Sequence, residues 1–171
     1  IPSATSETYA AGALTVDTWF KRYVTSVLDG NSCTRETNAV KVTVVNFTPG
    51  VIGSDQTICE ATAPATLTGT AAAGDGTFTY KWQESADGTT FTDVASGGTG
   101  ATYTPPSLSV KTYFRRKATS VLNNACVQYS NAVQITVNSL NPGSIATTTT
   151  TICEGDTPAA FTSVSPSGTA G

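Results

Sequence analysis

An all-β fold, built as tandem Greek-key β-sandwich repeats, is predicted for this 171-residue chain by three observations. Thr is the commonest residue, and together 33 Thr and 16 Ser make 49 of the 171 positions; Thr and Val are both stiff at χ1 and favour pleated backbone. Apolar positions alternate with period two, and no stretch places them at helical spacing with caps. Finally, whole segments recur at an interval of about 93 residues, from Pro49-Gly50 to Pro142-Gly143.

The repeat sets the domain organisation. Leu14 to Leu28 and Leu108 to Leu122 share nine of fifteen residues at an offset of 94. Asn38 to Gly50 and Asn131 to Gly143 share seven of thirteen at an offset of 93, so one residue is lost in the loop between. Thr57-Ile-Cys-Glu60 returns as Thr151-Ile-Cys-Glu154. These matches are collinear, which predicts the C-terminal part of one repeat over 1–48, a complete repeat over 49–141 and the N-terminal part of a further repeat over 142–171. Neither partial repeat carries enough of the pattern to close a core alone. A chain opening on Ile1 in mid-repeat reads as an out-of-phase slice of a longer array. Pro-Gly at each junction joins a fixed φ to a permissive residue and predicts short linkers with limited freedom.

Within the complete repeat the elements follow in order. Leu67 sits in Ala-Thr-Leu-Thr-Gly-Thr, a predicted strand. Phe78, Tyr80 and Trp82 alternate with Thr79 and Lys81, which gives a strand with one aromatic face. Phe114, Arg116 and Ala118 share a face of a strand running from about Lys111 to Ser120. Val133, Ile135 and Val137 alternate along a last strand. Gly74-Asp75-Gly76, Asp87-Gly88, Gly97-Gly98, Pro105-Pro106 and Asn123-Asn124 supply the turns. About seven short strands in roughly 93 residues is the spacing of a sandwich.

Composition excludes several functions. The chain has no His, so no Ser-His-Asp or Cys-His constellation forms within it. It has no Cys-x-x-Cys zinc pattern. Nine Lys+Arg against twelve Asp+Glu leave a net charge of −3 and no basic footprint for nucleic acid. No apolar run is long enough to insert in a membrane, and no leader is visible at the start. Each Asp-Gly turn offers one carboxylate where calcium needs six to eight oxygens, so these are read as hairpin turns. Glu60 and Glu154 have no carboxylate partner for acid–base work. No catalytic residue, cofactor or metal site is expected, and the chain is not read as an enzyme.

The predicted core holds Trp82, Tyr80, Tyr113 and Phe114. Trp19 aligns with Tyr113 and is expected to be structural too. Arg116 falls on the inward face, where an unpaired charge is costly; its guanidinium is expected to lie over Trp82 or Tyr80 and to pair with Glu84. Cys33, Cys59, Cys126 and Cys153 fall two to a period, with Cys33 matching Cys126 and Cys153 matching Cys59. The simplest pairing is Cys59 with Cys126, leaving Cys33 and Cys153 to partners outside these residues. A Cys33–Cys59 and Cys126–Cys153 pairing across the junctions, with spacings of 26 and 27, stays open. Disulfides imply export to an oxidising compartment.

Tyr80-x-Trp82-x-x-Ser85-x-Asp87-Gly88-x-x-Phe91, Ala101-Thr-Tyr-Thr-Pro-Pro106 and Thr112-Tyr-Phe-Arg-Arg116 resemble the immunoglobulin-like repeats of very large Bacteroidota surface proteins. The spacing of Ile58-Cys59-Glu60 from Cys126 and Ser130-Asn131-Ala132-Val133 adds to the likeness, which extends over the whole chain. It is most similar to the repetitive SprB-like adhesins of gliding motility, exported by type 9 secretion. The resemblance implies a tandem immunoglobulin-like sandwich at the bacterial cell surface, forming or projecting a filament for attachment. Its partners would be neighbouring repeats, surface polysaccharide or other cell-surface proteins. A second class of function is an accessory carbohydrate-binding or spacer module of a secreted enzyme. That role needs an exposed aromatic platform, for which Phe91, Tyr103 and Tyr129 are the candidates.

Overall fold

The computed structural model describes residues 4–146 and 149–170. The first three residues of the predicted 1–48 segment, and Thr147, Thr148 and Gly171 of the predicted 142–171 segment, lie outside the described residues. The described chain is all-β, without a helix and with 42% of residues in strands, and its sheets do not close into a barrel. It divides into two compact units, Ile1–Asn46 and Phe47–Gly171.

In the N-terminal unit, β1 (Thr18–Phe20) pairs antiparallel with β4 (Val40–Val42). Between them β2 (Tyr23–Leu28) and β3 (Asn31–Glu36) form a hairpin. Its two turn residues, Asp29 and Gly30, have φ of 50° and 79°. Two left-handed residues in succession give the mirror-image turn whose twist matches paired strands. Every residue of β2 and β3 is exposed. Trp19, expected to be structural, is 61% exposed, with the Lys41 ammonium 5.0 Å above its ring. Period two explains this, because Trp19 points opposite to the half-buried Phe20.

The second unit contains β5 (Phe47–Thr48), β6 (Gln56–Cys59), β7 (Ala73–Gly74), β8 (Phe78–Ser85), β9 (Thr92–Asp93), β10 (Thr112–Ser120), β11 (Val127–Tyr129), β12 (Val133–Asn141), β13 (Ser144–Ile145), β14 (Ser163–Val164) and β15 (Ser167–Ala170). The main sheet has the order β15-β12-β10-β8-β9, with β11 paired to β10 and β6 paired to β12. The β6–β12 pair is parallel and the other pairs of this sheet are antiparallel. Facing the sheet is a thinner layer of single bridges, Ile52↔Gly69, Leu67↔Tyr103 and Thr62↔Leu108. Trp82, Phe114, Val133 and Ile135 from the sheet and Ile52, Leu67 and Tyr103 from the opposite layer enclose one apolar cluster with Val94. The packing is sandwich-like.

The alternation read from sequence governs which side chains enter this core. Along β10 the burial alternates through Phe114, Arg116, Ala118 and Ser120, and along β12 through Val133, Ile135 and Val137. The segment around Leu67 departs from the expectation. Leu67 is buried, but it exchanges backbone bonds with Tyr103 alone (2.7 and 3.0 Å) and no strand extends from it. The segment makes isolated bridges, Leu67 with Tyr103 and Gly69 with Ile52, and one apolar residue among Thr and Ala does not anchor a continuous ladder.

Registers recur across the chain. The pairs Thr18↔Val42, Trp19↔Lys41 and Phe20↔Val40 of β1–β4 are those of Thr112↔Ile135, Tyr113↔Gln134 and Phe114↔Val133 in β10–β12, displaced by 94 and 93 residues. Tyr23↔Glu36 in the N-terminal hairpin corresponds likewise to Lys117↔Tyr129 in β10–β11. Toward the C-terminus, Ile145↔Ser163 repeats Ile52↔Gly69, and Leu140↔Gly168 repeats Phe47↔Gly74. In this way β12 plays two parts. Its first half pairs with β10 and β6, and its last residues pair with β15 as β5 pairs with β7. Gly50 and Gly143 follow these matching pairs with φ of 73° and 78°. A Cβ at Gly50 would lie 2.3 Å from the Thr70 carbonyl oxygen, and one at Gly143 would lie 2.2 Å from that of Val164. Only glycine meets both demands.

Candidate functional site

The residues singled out from the sequence separate into an inner clamp, an outer face and two opposite ends of the main sheet. The clamp is built around Arg116. Its position on β10 opposite Trp82 of β8 aims it into the core, and it is fully buried. The guanidinium carbon lies 4.4 Å from the Tyr80 ring centroid and 5.9 Å from that of Trp82. Nη1 donates to the Ala101 carbonyl at 2.7 Å, and Nη2 donates to the carbonyls of Thr70 and, at 3.3 Å, of Pro49. Nε is buried without a partner. Burial lowers the pKa of Arg116, and the effect of Tyr80 opposes it.

The expected ion pair with Glu84 is not made. Glu84 stands opposite Phe114, two residues further along the ladder, and main-chain carbonyls take the charge-assisted bonds instead. One side chain thereby ties three loops to the sheet, at Pro49, Thr70 and Ala101. The remaining core assignments divide. Trp82 and Phe114 are fully buried, and the Trp82 indole donates to the Gly100 carbonyl at 3.0 Å. Tyr80, Glu84 and Tyr113 are half-buried. Tyr113 belongs to the outer face, because it immediately precedes the inward Phe114; its ring lies over Gly88, where a Cβ would approach it to 3.3 Å.

On the outer face Arg115 sits between two rings, 4.1 Å from the Phe91 centroid and 4.0 Å from that of Tyr129. Its Nε donates to Gln83 Oε1 at 2.9 Å, and Gln83 Nε2 donates to Asp93 Oδ1 at 2.8 Å. Lys81 and Lys117 stand directly opposite one another beside this ladder. The sequence pattern marks Arg115 as outward but gives no sign that it joins Phe91 and Tyr129. The third aromatic candidate, Tyr103, is 8% exposed and packs against Trp82 and Phe114 with ring centroids 5.8 Å apart in each case. Its hydroxyl pKa is raised, chiefly by burial and then by the Glu84 charge. A shallow cleft at the sheet margin is lined by Glu84, Ser96, Thr102, Tyr103, Thr104 and Pro106.

The Asp87-Gly88 turn is self-contained. The Asp87 carboxylate accepts from the backbone of Thr89 and Thr90, each at 2.8 Å, and from Ser85 Oγ at 2.7 Å. These donors hold its pKa well below the ordinary carboxylate value, the Thr90 and Thr89 amides first. Among the described residues no group of three or more His, Cys, Asp or Glu side chains could hold a metal ion. No helix among them is long and apolar enough to cross a membrane.

All four cysteines are free thiols, so the expected Cys59–Cys126 bridge is not formed. Strand register gives the reason. Cys59 pairs with Asn138 at the far end of β12, three positions beyond Ile135, the partner of Thr112. The Cys126 carbonyl accepts from Ser120, at the other end of β10. Eleven strand positions separate the two, on the order of 35 Å at ~3.3 Å per residue, whereas a disulfide needs Cα atoms within about 7 Å.

A family model described as Domain of unknown function (DUF8696) matches residues 1–46 and 48–139. The chain belongs to this family. The first DUF8696 match ends at Asn46, the last residue of the N-terminal compact unit. Searches of curated proteins and of solved structures gave no match for the chain.

Proposed function

We propose that this chain is a segment of tandem immunoglobulin-like Greek-key sandwich repeats, and that it serves a large bacterial cell-surface adhesin as a structural and adhesive element. The carrying observation is that hydrogen-bond register, and not residue identity alone, repeats at 93–94 residues on both sides of the complete repeat. A strand such as β12, shared between the end of one repeat and the start of the next, suits end-to-end stacking. The antiparallel run β12-β10-β8 suits one sheet of an immunoglobulin-like sandwich. The partition into 1–48, 49–141 and 142–171 fits the two family matches, which part at residue 47. Extracellular placement, export by type 9 secretion and a part in gliding belong to the resemblance and are proposed with it.

The physical task is reach with weak, repeated contact. Each repeat adds roughly 30–40 Å when strands of about eight residues are joined end to end. Many copies turn weak contacts on the outer face into avidity. The accessory carbohydrate-binding reading is less well supported. Phe91 and Tyr129 each give one ring face to Arg115 and Tyr103 lies in the core, so of the three candidates Tyr129, 45% exposed, is the one ring open to solvent, and one ring makes a poor platform. Small-angle scattering from chains of two, three and four complete repeats tests the proposal. The maximum dimension is expected to grow by about one repeat length per copy. Growth with the cube root of mass, as for a globule, would refute it.

A further inference from the structure

We propose that Cys59 and Cys126 are the two halves of a covalent link between consecutive repeats, in which the Cys59-type thiol of one repeat is joined in a disulfide to the Cys126-type thiol of the next. The inference rests on the tandem reading and names a bond within it. Chain direction assigns the two thiols to different ends. The complete repeat begins at Phe47–Thr48, paired with β7, and the Phe47 ring lies 4.8 Å from that of Phe78. Phe78 pairs with Ser120, whose amide binds the Cys126 carbonyl at 3.1 Å. Cys126 is therefore at the incoming end. The chain leaves along β12, and Cys59 lies opposite Asn138, three residues before β12 ends at Asn141. Cys59 is at the outgoing end.

Where repeats are stacked, an outgoing end faces an incoming end, so thiols of opposite type meet at each junction while those within one repeat stay apart. The junction strand narrows their placement. The β15 backbone pairs with Asn138–Asn141 of β12 in the register that β7 uses on β5. In the complete repeat, the residues just after β7 carry the Cys126 loop. Val121 donates its amide to the Thr77 carbonyl at 2.9 Å, and Leu122 packs over Gly76. The matching loop of a following repeat is thus carried by the segment that pairs with Asn138, and Asn138 is the residue opposite Cys59. Both thiols can be reached, since Cys59 is exposed and Cys126 half-buried. The partial repeats keep the same settings. Cys33 faces Ser26 where Cys126 faces Ser120. The Cys153 carbonyl accepts from Asp156 at 3.1 Å where that of Cys59 accepts from Thr62 at 3.2 Å.

The step is thiol–disulfide exchange with a disulfide oxidant, such as oxidised glutathione. One cysteine thiolate attacks the oxidant and forms a mixed disulfide. Half of the oxidant leaves as a thiol in that attack; the second cysteine thiolate then attacks the mixed disulfide and expels the other half, and the two thiols formed carry off the electron pair and the two protons. Four chains oxidised with glutathione disulfide and counted for free thiols by alkylation and intact mass test the link. The 171-residue chain is expected to form no bond between its own cysteines. A chain of residues 1–141 followed by a second copy of 49–141 is expected to lose two alkylatable thiols. Cys59→Ser in its first copy is expected to leave its one partner, the Cys126-type thiol of the second copy, free, whereas Cys126→Ser in that first copy leaves the bond in place. A Cys59–Cys126 bond in the 171-residue chain overturns the proposal. So does a two-repeat chain that scatters as an extended rod and keeps every thiol, and in that case the array itself stands. A two-repeat chain no longer than a single repeat overturns both the link and the array.

Discussion

The hairpin β2–β3 and the hairpin β10–β11 have matching cross-strand partners one repeat apart, yet every residue of β2 is exposed while β10 buries each alternate side chain. The likeness reaches single bonds. Thr37 donates its amide to the Arg22 carbonyl and Ser130 donates its own to that of Arg116, both at 2.9 Å. The Arg22 amide donates to Thr37 Oγ1 as the Arg116 amide donates to Ser130 Oγ. What differs is the company. Among the described residues the N-terminal unit has no counterpart of β8, and Arg22 is exposed where Arg116 is fully enclosed. Turn chemistry and local bonds suffice to set register, whereas burial, and with it most of the stability, needs the neighbouring strand.

Substitutions at matched positions sharpen this contrast. The largest effect is expected at Trp82, whose replacement by Ala should cost about 3–5 kcal/mol through lost burial and the cavity left behind. Chemical denaturation followed by tryptophan fluorescence and circular dichroism would register it as loss of the cooperative transition. Trp19→Ala, at an exposed ring, should leave that transition where it was. Next comes Arg116→Ala, which strands three carbonyls and should cost about 2–4 kcal/mol. Arg116→Lys should rescue little, because a single ammonium cannot reach three loops as a planar fork does. Arg22→Ala should be silent in the same denaturation curves, and a matching loss at Arg22 would break the comparison.

The glycines give a smaller difference of the same kind. Gly50→Ala combines a left-handed backbone with a clash against the Thr70 and Ala71 carbonyls, and about 1–3 kcal/mol is expected. Gly30→Ala shares the positive φ but meets open space, so its cost should be no more than about 1–2 kcal/mol. Equal shifts in melting temperature would remove the packing part of that argument.

The smallest effects are electrostatic. The folded pKa of Asp87 is depressed below its ordinary 3.8. Its contribution is therefore fully present above that value and is lost as pH falls from there toward the folded pKa. Asp87→Ala should lower the melting temperature slightly at neutral pH, and the gap from the parent should narrow below about pH 4. Glu36 is held low by its contact with Lys21, at 2.5 Å. That pair is open to solvent, so Glu36→Gln should change nothing measurable at physiological salt.

How far the sequence could be read follows from the range of each interaction. Phe114, Arg116 and Ala118 announced an inward face, and Val133, Ile135 and Val137 another, because period two is a local property of the chain. The Asp87-Gly88 turn was legible for the same reason. Tyr113 was misplaced by its aromatic character, although its position beside Phe114 turns it outward. The partners of Arg116 were hidden, since carbonyls at Pro49, Thr70 and Ala101 leave no mark in a side-chain pattern. The cysteines show the limit most clearly. Their spacing suited a bridge within one repeat, but the parallel pairing of β6 with β12 carries Cys59 to the end of the sheet away from Cys126. That pairing joins residues nearly eighty positions apart, and nothing near either strand specifies it.

Amide hydrogen exchange across the whole chain tests most directly the claim that matching registers are stabilised only where a repeat is complete. Amides of β8, β10 and β12 should exchange through global opening of the second unit, while those paired across β2 and β3 should exchange orders of magnitude faster. Equal protection in the two hairpins would contradict the account, because residues 1–46 would then possess a stabilising core that the repeat reading denies them.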